Sequence, residues 1–472
     1  MAQWNKKTQD FLDQERSLFE VNMIATKDGN PVGEQNAFPT SLHYVGFGTT
    51  ATTAVNDIHP LPTYLQNIEV TSKGRLKVST PEVIFFNTFQ YGVETDVWDT
   101  RVSVGATAVW DYTISGIAMS VTSSAGSEVI RQTRNVMRYI PGRTAELSFA
   151  VRLEPPKSGV RRRFGLFDGQ DGFYFEDDGG DYACVVINSD GASGIITERY
   201  PRSEWNGDKL DGNGPSGIVA SPTAQQLVVM EYEWYGAGQV RFQFAMNGKS
   251  HTIHTINTGN RLPYPWCKTP FLPIRLELKN TTGVSTGPHY LYQGSNSLVS
   301  EGFTEKLGIA QNVGTAVTGR ILPAAQTYYP LLSIRLKPTA LTGIVLPSFF
   351  QAASLYQASP SVNSSAISLG YKLIRNANLT GGTWVDMPDT NSFTQYNRTA
   401  TGIGTAGIDL DSGFIIQGSG GTGIRLDKDT QYQIGRSGIG TISDTLTLAV
   451  AVLDTGVTNA TAYGAMTWIE QR

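Results

Sequence analysis

The heptapeptide VRFQFAM, residues 240–246, puts Val240, Phe242, Phe244 and Met246 on one face of an extended chain, with Arg241 and Gln243 on the other. Successive side chains of a strand point to opposite faces, so this period of two describes a half-buried strand and excludes an amphipathic helix. The pattern recurs along the chain. ELSFAVRL aligns Leu147, Phe149, Val151 and Leu153, and VVMEYEW aligns Val228, Met230, Tyr232 and Trp234. PIRLELK sets Ile274, Leu276 and Leu278 against Arg275, Glu277 and Lys279. LLSIRLKP groups Leu332, Ile334 and Leu336, and TLTLAVAVL groups Leu446, Leu448, Val450 and Val452. Tyr235-Gly236-Ala237-Gly238, Asn247-Gly248 and Asp190-Gly191 supply turns between such segments. Strands at about 8–12-residue spacing with turn signals imply sandwiches or barrels.

The chain has 472 residues, which at about 100–200 residues per domain predicts two to four domains. Charged residues make up 17% and glycine numbers 50, against a usual charged share of about 25%. That balance suits a turn-rich β protein. The predicted fold is all-β, with two antiparallel, jelly-roll-like β-sandwich domains at 64–305 and 329–472. A linker over 306–328 joins them. An N-terminal segment, 1–63, is read as a helix at 5–20 followed by an extended arm at 25–63. The helix clusters Phe11, Leu12, Leu18 and Phe19 among charges, too little apolar surface to stand without a partner. The arm is rich in turn residues. Residues 1–63 are therefore expected to make intermolecular contacts during assembly.

One stretch invites a chemical reading: RFGLFDGQDGFYFEDDGGDY, Arg163 to Tyr182. Its acids suggest calcium, and its alternating aromatics suggest strands. An EF-hand loop needs acids or amides at alternate positions before a glycine, but counting from Asp168 gives Gln170 and then Gly172. The expected structure is three short strands joined by hairpin turns at GQD and DDGGD. The alternative is an irregular surface calcium site drawn from Asp171, Glu176, Asp177, Asp178 and Asp181. No metal requirement and no cofactor is expected.

Other constellations fall short of chemistry. Glu231 and Glu233 share a strand face, as a glycosidase carboxyl pair would, yet EYEWYG ends in Gly236 where sugar-cleaving sandwiches carry a further acid. They read as the solvated face of a sheet. His251 and His254 are three apart, which on a strand places them on opposite faces and disfavours a metal pair; His43, His59 and His289 are scattered. The run Gly418-Ser419-Gly420-Gly421-Thr422-Gly423 matches a dinucleotide fingerprint in letters, but no helix pattern follows it. Asn247-Gly248-Lys249-Ser250 lacks the earlier glycine of a P-loop, and Gly214-Pro215-Ser216-Gly217 lacks the last glycine of a nucleophile elbow. No catalytic residues are assigned, and the chain is read as no enzyme.

Net charge is −4 and the pI about 5.8, which gives no basic excess for nucleic acid. The basic run Arg161-Arg162-Arg163 reads as a solvated strand start or an interface. Cys184 and Cys267 are the two cysteines, compatible with a disulfide but not dependent on one. The polar N-terminus does not resemble a signal peptide, and no window approaches the ~20 apolar residues of a membrane span. The expectation is a protein made in a cytoplasm, without membrane insertion. Glycosylation-type triplets at Asn280 and Asn397 accordingly read as chance.

The blocks RYIPGRTAELSFAVRLEPPKSGVRRRFGLFDGQDGFYFEDDGG, SEWNGDKLDGNGPSG and VVMEYEWYGAGQVRFQFAMNGK carry a resemblance. In the order Arg-Tyr-x-Pro-Gly, Gly-Val-Arg, Trp-Asn-Gly-Asp and Glu-Trp-x-Gly-x-Gly, the chain resembles virion structural proteins of tailed bacteriophages, notably those of marine and cyanobacterial hosts. The match runs from about Lys77, in LKVSTPEVIFFNTFQYG, to the early 300s, with a weaker echo from PLLSIRLKP onward. The resemblance implies a virion component of tail, baseplate or fibre-like type. It implies partners among other virion proteins and sister subunits, as a homotrimer or other homo-oligomer. It carries no catalytic residues. A receptor-binding, glycan-binding adhesin is the near alternative; a capsid decoration protein or a polysaccharide depolymerase is more distant.

Overall fold

The computed structural model describes residues 43–45, 52–54, 80–189, 194–284, 286–302, 308–355, 367–405, 407–416, 423–425 and 433–471. Met1–Glu69 forms one compact unit and Val70–Arg472 a second. In the first, strands His43–Val45 and Thr52–Ala54 pair antiparallel, with Tyr44 opposite Thr53. They fall inside the segment read as an irregular arm; paired β-branched threonines account for the strand. The helix expected at 5–20 lies outside the described residues. The described helical element is a three-residue 3-10 turn, Arg202–Glu204. No helix among the described residues is long and apolar enough to cross a membrane.

The second unit is all-β and antiparallel, and it contains two sandwiches. In the larger, a seven-stranded sheet runs in the spatial order Ile195–Pro201, Asp181–Ser189, Gly172–Asp178, Val160–Phe167, Ile274–Asn280, Glu128–Thr133, Trp98–Ser103. Facing it, an eight-stranded sheet runs Lys249–Asn257, Gln239–Met246, Gln226–Glu233, Ala145–Arg152, His289–Glu301, Gly116–Val121, Thr107–Asp111. The 13-residue strand His289–Glu301 is long enough to take two partners on one side, Gly116–Val121 along its first half and Pro81–Asn87 along its second. The aligned apolar residues read from the sequence form the core. Leu147, Val228, Met230, Phe242, Ile274, Leu276 and Leu278 are fully enclosed, and Phe173 meets Phe242 edge-on across the layers at 6.3 Å.

The smaller sandwich pairs a five-stranded sheet around Ala460–Gln471 with a six-stranded sheet around Tyr329–Leu336 and Thr445–Val452. Leu332, Ile334, Leu448, Val450 and Trp468 fill it. Residues 306–328, read as a linker, carry the strands Ile309–Gly314 and Arg320–Leu322, both bonded along Ala460–Gln471. No residue of IAQNVG is fully buried, so burial imposes no alternation on it and its sequence shows none.

The two sandwiches meet through a small apolar cluster of Val136, Ile344 and Leu346 with Phe271 beside it. Around it run Gln433 Nε2 to the Val136 carbonyl at 3.0 Å and the Arg436 amide to the Arg134 carbonyl at 2.9 Å. Arg134 pairs with Asp444 at 3.4 Å and Arg375 with Asp96 at 2.8 Å.

Candidate functional site

The acidic stretch folds as three strands, Val160–Phe167, Gly172–Asp178 and Asp181–Ser189. The first two form a hairpin whose register sets Arg161 opposite Asp178, Arg162 opposite Asp177 and Arg163 opposite Glu176. The basic run and the acidic run are therefore cross-strand partners. This corrects the reading of the arginines as a solvated strand start: Arg162 and Asp177 are fully enclosed and 2.6 Å apart. Arg162 also donates from Nε to the Tyr290 carbonyl at 2.9 Å. Glu176 bridges Arg163 at 2.7 Å and Arg199 at 2.8 Å, and Arg199 reaches Asp181 at 2.8 Å. Burial acts to raise the pKa of Glu176, and its hydrogen bonds and charge contacts to the two arginines outweigh that, so the carboxyl lies below its ordinary range.

The remaining acids close turns. Asp168 Oδ1 accepts the Gln170 and Asp171 amides at 2.9 and 3.0 Å. Asp171 Oδ1 accepts the Lys268 amide at 3.0 Å. Among the described residues no group of three or more His, Cys, Asp or Glu is arranged to hold a metal ion.

Glu231 and Glu233 do share a face of the eight-stranded sheet, but that face is not solvated at them; each is 2% exposed. Their strand lies third from the sheet edge, and neighbours on both sides cover the carboxylates. Glu231 stands opposite Glu146 on one side and Arg241 on the other, with Arg241 Nη1 at 3.4 Å. Glu233 accepts the Thr144 hydroxyl at 2.9 Å. Buried, paired carboxylates leave no open lobe for a sugar between them.

The histidines also depart from expectation. A bulge in Lys249–Asn257 places His254 opposite Phe242 and His251 opposite Phe244. Two core-facing phenylalanines thus oppose histidines three apart, so the pair shares a face that an unbroken strand would have divided. The described residues do not join them to further ligands. His254 packs against Tyr200 with the rings tilted and their centroids 4.7 Å apart, and burial lowers its pKa.

Cys184 and Cys267 are both buried and free. Asn280 is enclosed, with its amide donating to the Thr122 carbonyl and accepting from the Gly283 amide, both at 2.9 Å. Asn397 Oδ1 likewise caps a turn through the Thr399 and Ala400 amides, so neither side chain is offered to solvent. The run at 418–422 lies outside the described residues.

The segment SEWNGDKLDGNGPSG builds a polar groove of ≈ 590 Å³ against Lys249–Asn257, lined by Asn206, Asp208, Ser216, Lys249 and His251. The Asn206 amide bridges Thr255, donating to its carbonyl at 2.8 Å and accepting from its amide at 2.9 Å. Asp208 fixes the loop by accepting the Leu210 amide at 2.9 Å and the Ser216 amide at 2.7 Å. A Cβ at Gly214 would stand 2.1 Å from Asp208 Oδ1, so this glycine lets the loop close on the carboxylate. That is the role of the Gly-Pro-Ser-Gly run. A second, apolar slot, lined by Phe175, Tyr182, Trp205 and Phe244, holds ≈ 50 Å³. With water at about 30 Å³ each, it admits no sugar ring.

Among the described residues, one flank of the large sandwich is open. Trp98–Ser103 ends one sheet, while Thr107–Asp111 and Pro81–Asn87 end the other. Val102 is 49% exposed, Val109 56%, Phe86 69% and Tyr112 75%. Unpaired backbone edges and outward apolar side chains coincide there.

No family model matches the chain, and no curated protein matches it. Among solved structures it is similar to a glycoside hydrolase family protein from Mycobacterium thermorestibile, at 13% identity and a TM-score of 0.33, covering 46% of this chain and 100% of that one. It is similar to a glycoside hydrolase family 16 protein from Bacteroides ovatus, at 10% identity and a TM-score of 0.32, with coverage of 46% and 100%. It is also similar to the carbohydrate recognition domain of Emp47p, at 12% identity and a TM-score of 0.28, with coverage of 44% and 90%. Likeness at these scores carries no argument about what this chain does.

Proposed function

We propose that the chain is a structural component of a tailed-bacteriophage virion, of tail, baseplate or fibre-like type, that assembles through subunit contacts. The observation that carries this reading is the open flank. Exposed strand edges are templates for pairing with another chain, and soluble proteins normally blunt them with charge, proline or a covering loop. Here, beside Pro81 and Arg101, the edge strands present Val102, Val109 and Phe86, with Tyr112 just past the end of one, the composition expected of a contact surface. The resemblance of the Lys77–300s blocks to virion structural proteins supports the same reading. The two sandwiches, joined by apolar packing and ion pairs, suit a load-bearing part.

The test is sedimentation velocity on the wild type and on Phe86→Ser, Val109→Lys and Tyr112→Ser combined, with mass spectrometry of purified particles. The wild type should be an oligomer and be present in particles; the triple variant should melt cooperatively but sediment as a smaller species. A variant that retains the wild-type oligomer would refute the flank as the contact.

A second reading, a glycan-binding adhesin, is favoured by the ≈ 590 Å³ groove, whose size falls within the ~300–1,000 Å³ of ligand sites. Its amide, hydroxyl, ammonium and imidazole groups match a hydroxyl-rich ligand. Saturable binding to host surface glycans, lost in Lys249→Ala with His251→Ala, would establish it; a flat glycan titration would dismiss it.

A further inference from the structure

Buried arginines are costly unless their charge and donors are met, and this chain shows how it ordinarily meets them. Arg131, 1% exposed, donates to Gln293 Oε1 and Thr100 Oγ1 at 2.8 Å and to the Val93 carbonyl at 3.0 Å. Arg162 has Asp177. Arg162 Nη2 lacks a partner even so, and Arg436 goes further, with two donors unmet. It is 4% exposed, and its Nε and Nη2 are buried without any hydrogen-bond partner among the described residues. Its backbone amide anchors the strand to the Arg134 carbonyl, so the side chain is held in place with two of its donors unmet. Desolvation lowers its pKa; the charge of nearby Asp168 opposes this in part, and that of Arg275 adds to it.

The guanidinium lines a cleft of ≈ 310 Å³ between the two sandwiches, space for about ten waters. Arg275 and Arg101, from the larger sandwich, line the same cleft. Arg275 is held by Glu277 at 2.5 Å and by Gln132 Oε1 at 3.0 Å, so it is preorganised. Arg101 reaches in from the rim, 57% exposed, with Glu128 at 3.3 Å. Gly440, at φ +80°, lies against Arg436; an ideal Cβ there would be 3.5 Å from Arg436 Nε and 3.1 Å from Gln132 Nε2. The acid facing the cleft, Asp168, already accepts two turn amides.

We propose that this cleft is a binding site for a tetrahedral oxyanion, a phosphate or sulfate group, held by Arg436 of one sandwich and by Arg275 and Arg101 of the other. A group with three or more acceptor oxygens can meet forks from two directions at once, which a carboxylate with two oxygens does less well. Because the ligands come from both sandwiches, the bound anion clips them together and stabilises the unit by mass action.

The test uses the full chain. Inorganic phosphate is titrated by calorimetry, and Tm is followed against phosphate at constant ionic strength with chloride as control, because salt screens exposed charge. The expected result is saturable binding and a Tm that rises with phosphate but not with chloride. Arg436→Met should bind at least tenfold more weakly, lose the phosphate response, and melt no lower than the wild type in phosphate-free buffer. Arg101→Gln, on the exposed rim, should weaken binding several-fold with unchanged phosphate-free Tm. Absence of a phosphate-specific response in the wild type would overturn the proposal. So would an unaltered response in Arg101→Gln or Arg436→Met, or a phosphate-free Tm of Arg436→Met well below wild type, since the charge would then have been satisfied from within the protein. Glucose 6-phosphate distinguishes the source: tighter binding than inorganic phosphate assigns the site to a glycan-borne ester, weaker binding to the free ion, and both outcomes uphold it.

Discussion

Replacing Asp177 by asparagine keeps the volume of the side chain and removes its charge. The Arg162 guanidinium then sits at zero exposure with its carboxylate partner gone. At 2.6 Å the gross attraction is ~6 kcal/mol for an effective dielectric of about 20. Desolvation of both ions offsets much of that when the pair is intact, but breaking it strands one charge, which costs about 3–5 kcal/mol. The carbonyl oxygen of the introduced asparagine can still accept the Gly180 amide, which Asp177 Oδ1 accepts at 2.8 Å, so the turn itself should survive. For a sandwich of this size ~1 kcal/mol moves Tm by about 2–4 °C, so the variant should melt roughly 6–20 °C lower. Replacing both partners, Arg162→Met with Asp177→Leu, should recover most of the loss, because apolar isosteres of a buried pair are often neutral or better. Calorimetric melts and urea denaturation of the three proteins decide it. A single variant within about 1 kcal/mol of wild type, or a double variant as unstable as the single, would refute the account of this pair as a mutually dependent buried charge couple.

Glu470, fully buried, accepts from the hydroxyls of Ser392 at 2.6 Å and Thr394 at 2.7 Å, the Phe393 amide at 3.0 Å and the Trp468 indole at 3.2 Å. Burial acts to raise its pKa and these donors outweigh it, so the folded value is depressed; the stabilisation should be fully present above the unfolded value of ~4.3 and fade as pH falls through the lower folded one. Urea midpoints of wild type and Glu470→Gln should differ by a constant amount above pH ~5.5 and converge in acid; a pH-independent difference would count against it. Burial pushes both thiols up, Cys184 and Cys267 alike, so a thiol reagent should label neither in the native protein and both after unfolding. In Gly165→Ala the new Cβ would stand 2.3 Å from the Phe173 carbonyl oxygen, and the strands must part; a loss of ~1–3 kcal/mol in denaturant melts is expected, and a neutral substitution would contradict the strand spacing described.

The strands of both cores were legible because burial on one face writes a period of two into the sequence. Phe242 and Phe244, or Leu446 and Leu448, announce their own orientation. Ile309–Gly314 left no such trace, since an exposed edge strand places no demand on alternate residues. The shared face of His251 and His254 was hidden for a different reason: a bulge shifts the phase of a strand without a compositional mark. The burial of Glu231 and Glu233 depended on Thr144, Glu146 and Arg241, and the first two belong to a strand segment far away in sequence.

The arginine run could have been read further. The turn at Asp168–Asp171 is the centre of a hairpin, and counting outward from it brings Arg163, Arg162 and Arg161 to Glu176, Asp177 and Asp178. Arg162 also falls in phase with Val160 and Phe164, so strand periodicity by itself assigns it to the core and demands a counter-charge there. That demand fixes register. Slipping the two strands by one residue would turn Arg161 and Arg163 inward and Val160, Phe164 and Leu166 outward. A slip of two residues would keep each strand's faces, and the apolar side chains could accept it by repacking, but it would set Asp177 opposite Val160 or Phe164 and break the buried pair at 2.6 Å. The charges therefore select one alignment of the hairpin out of several that its hydrophobic residues would accept, a role in specificity that buried ion pairs fill in some proteins. The apolar double variant should accordingly keep its stability while losing part of that selectivity, visible as additional backbone amide resonances from the 160–178 hairpin. A single sharp set would assign register to the turn and the aromatic packing instead.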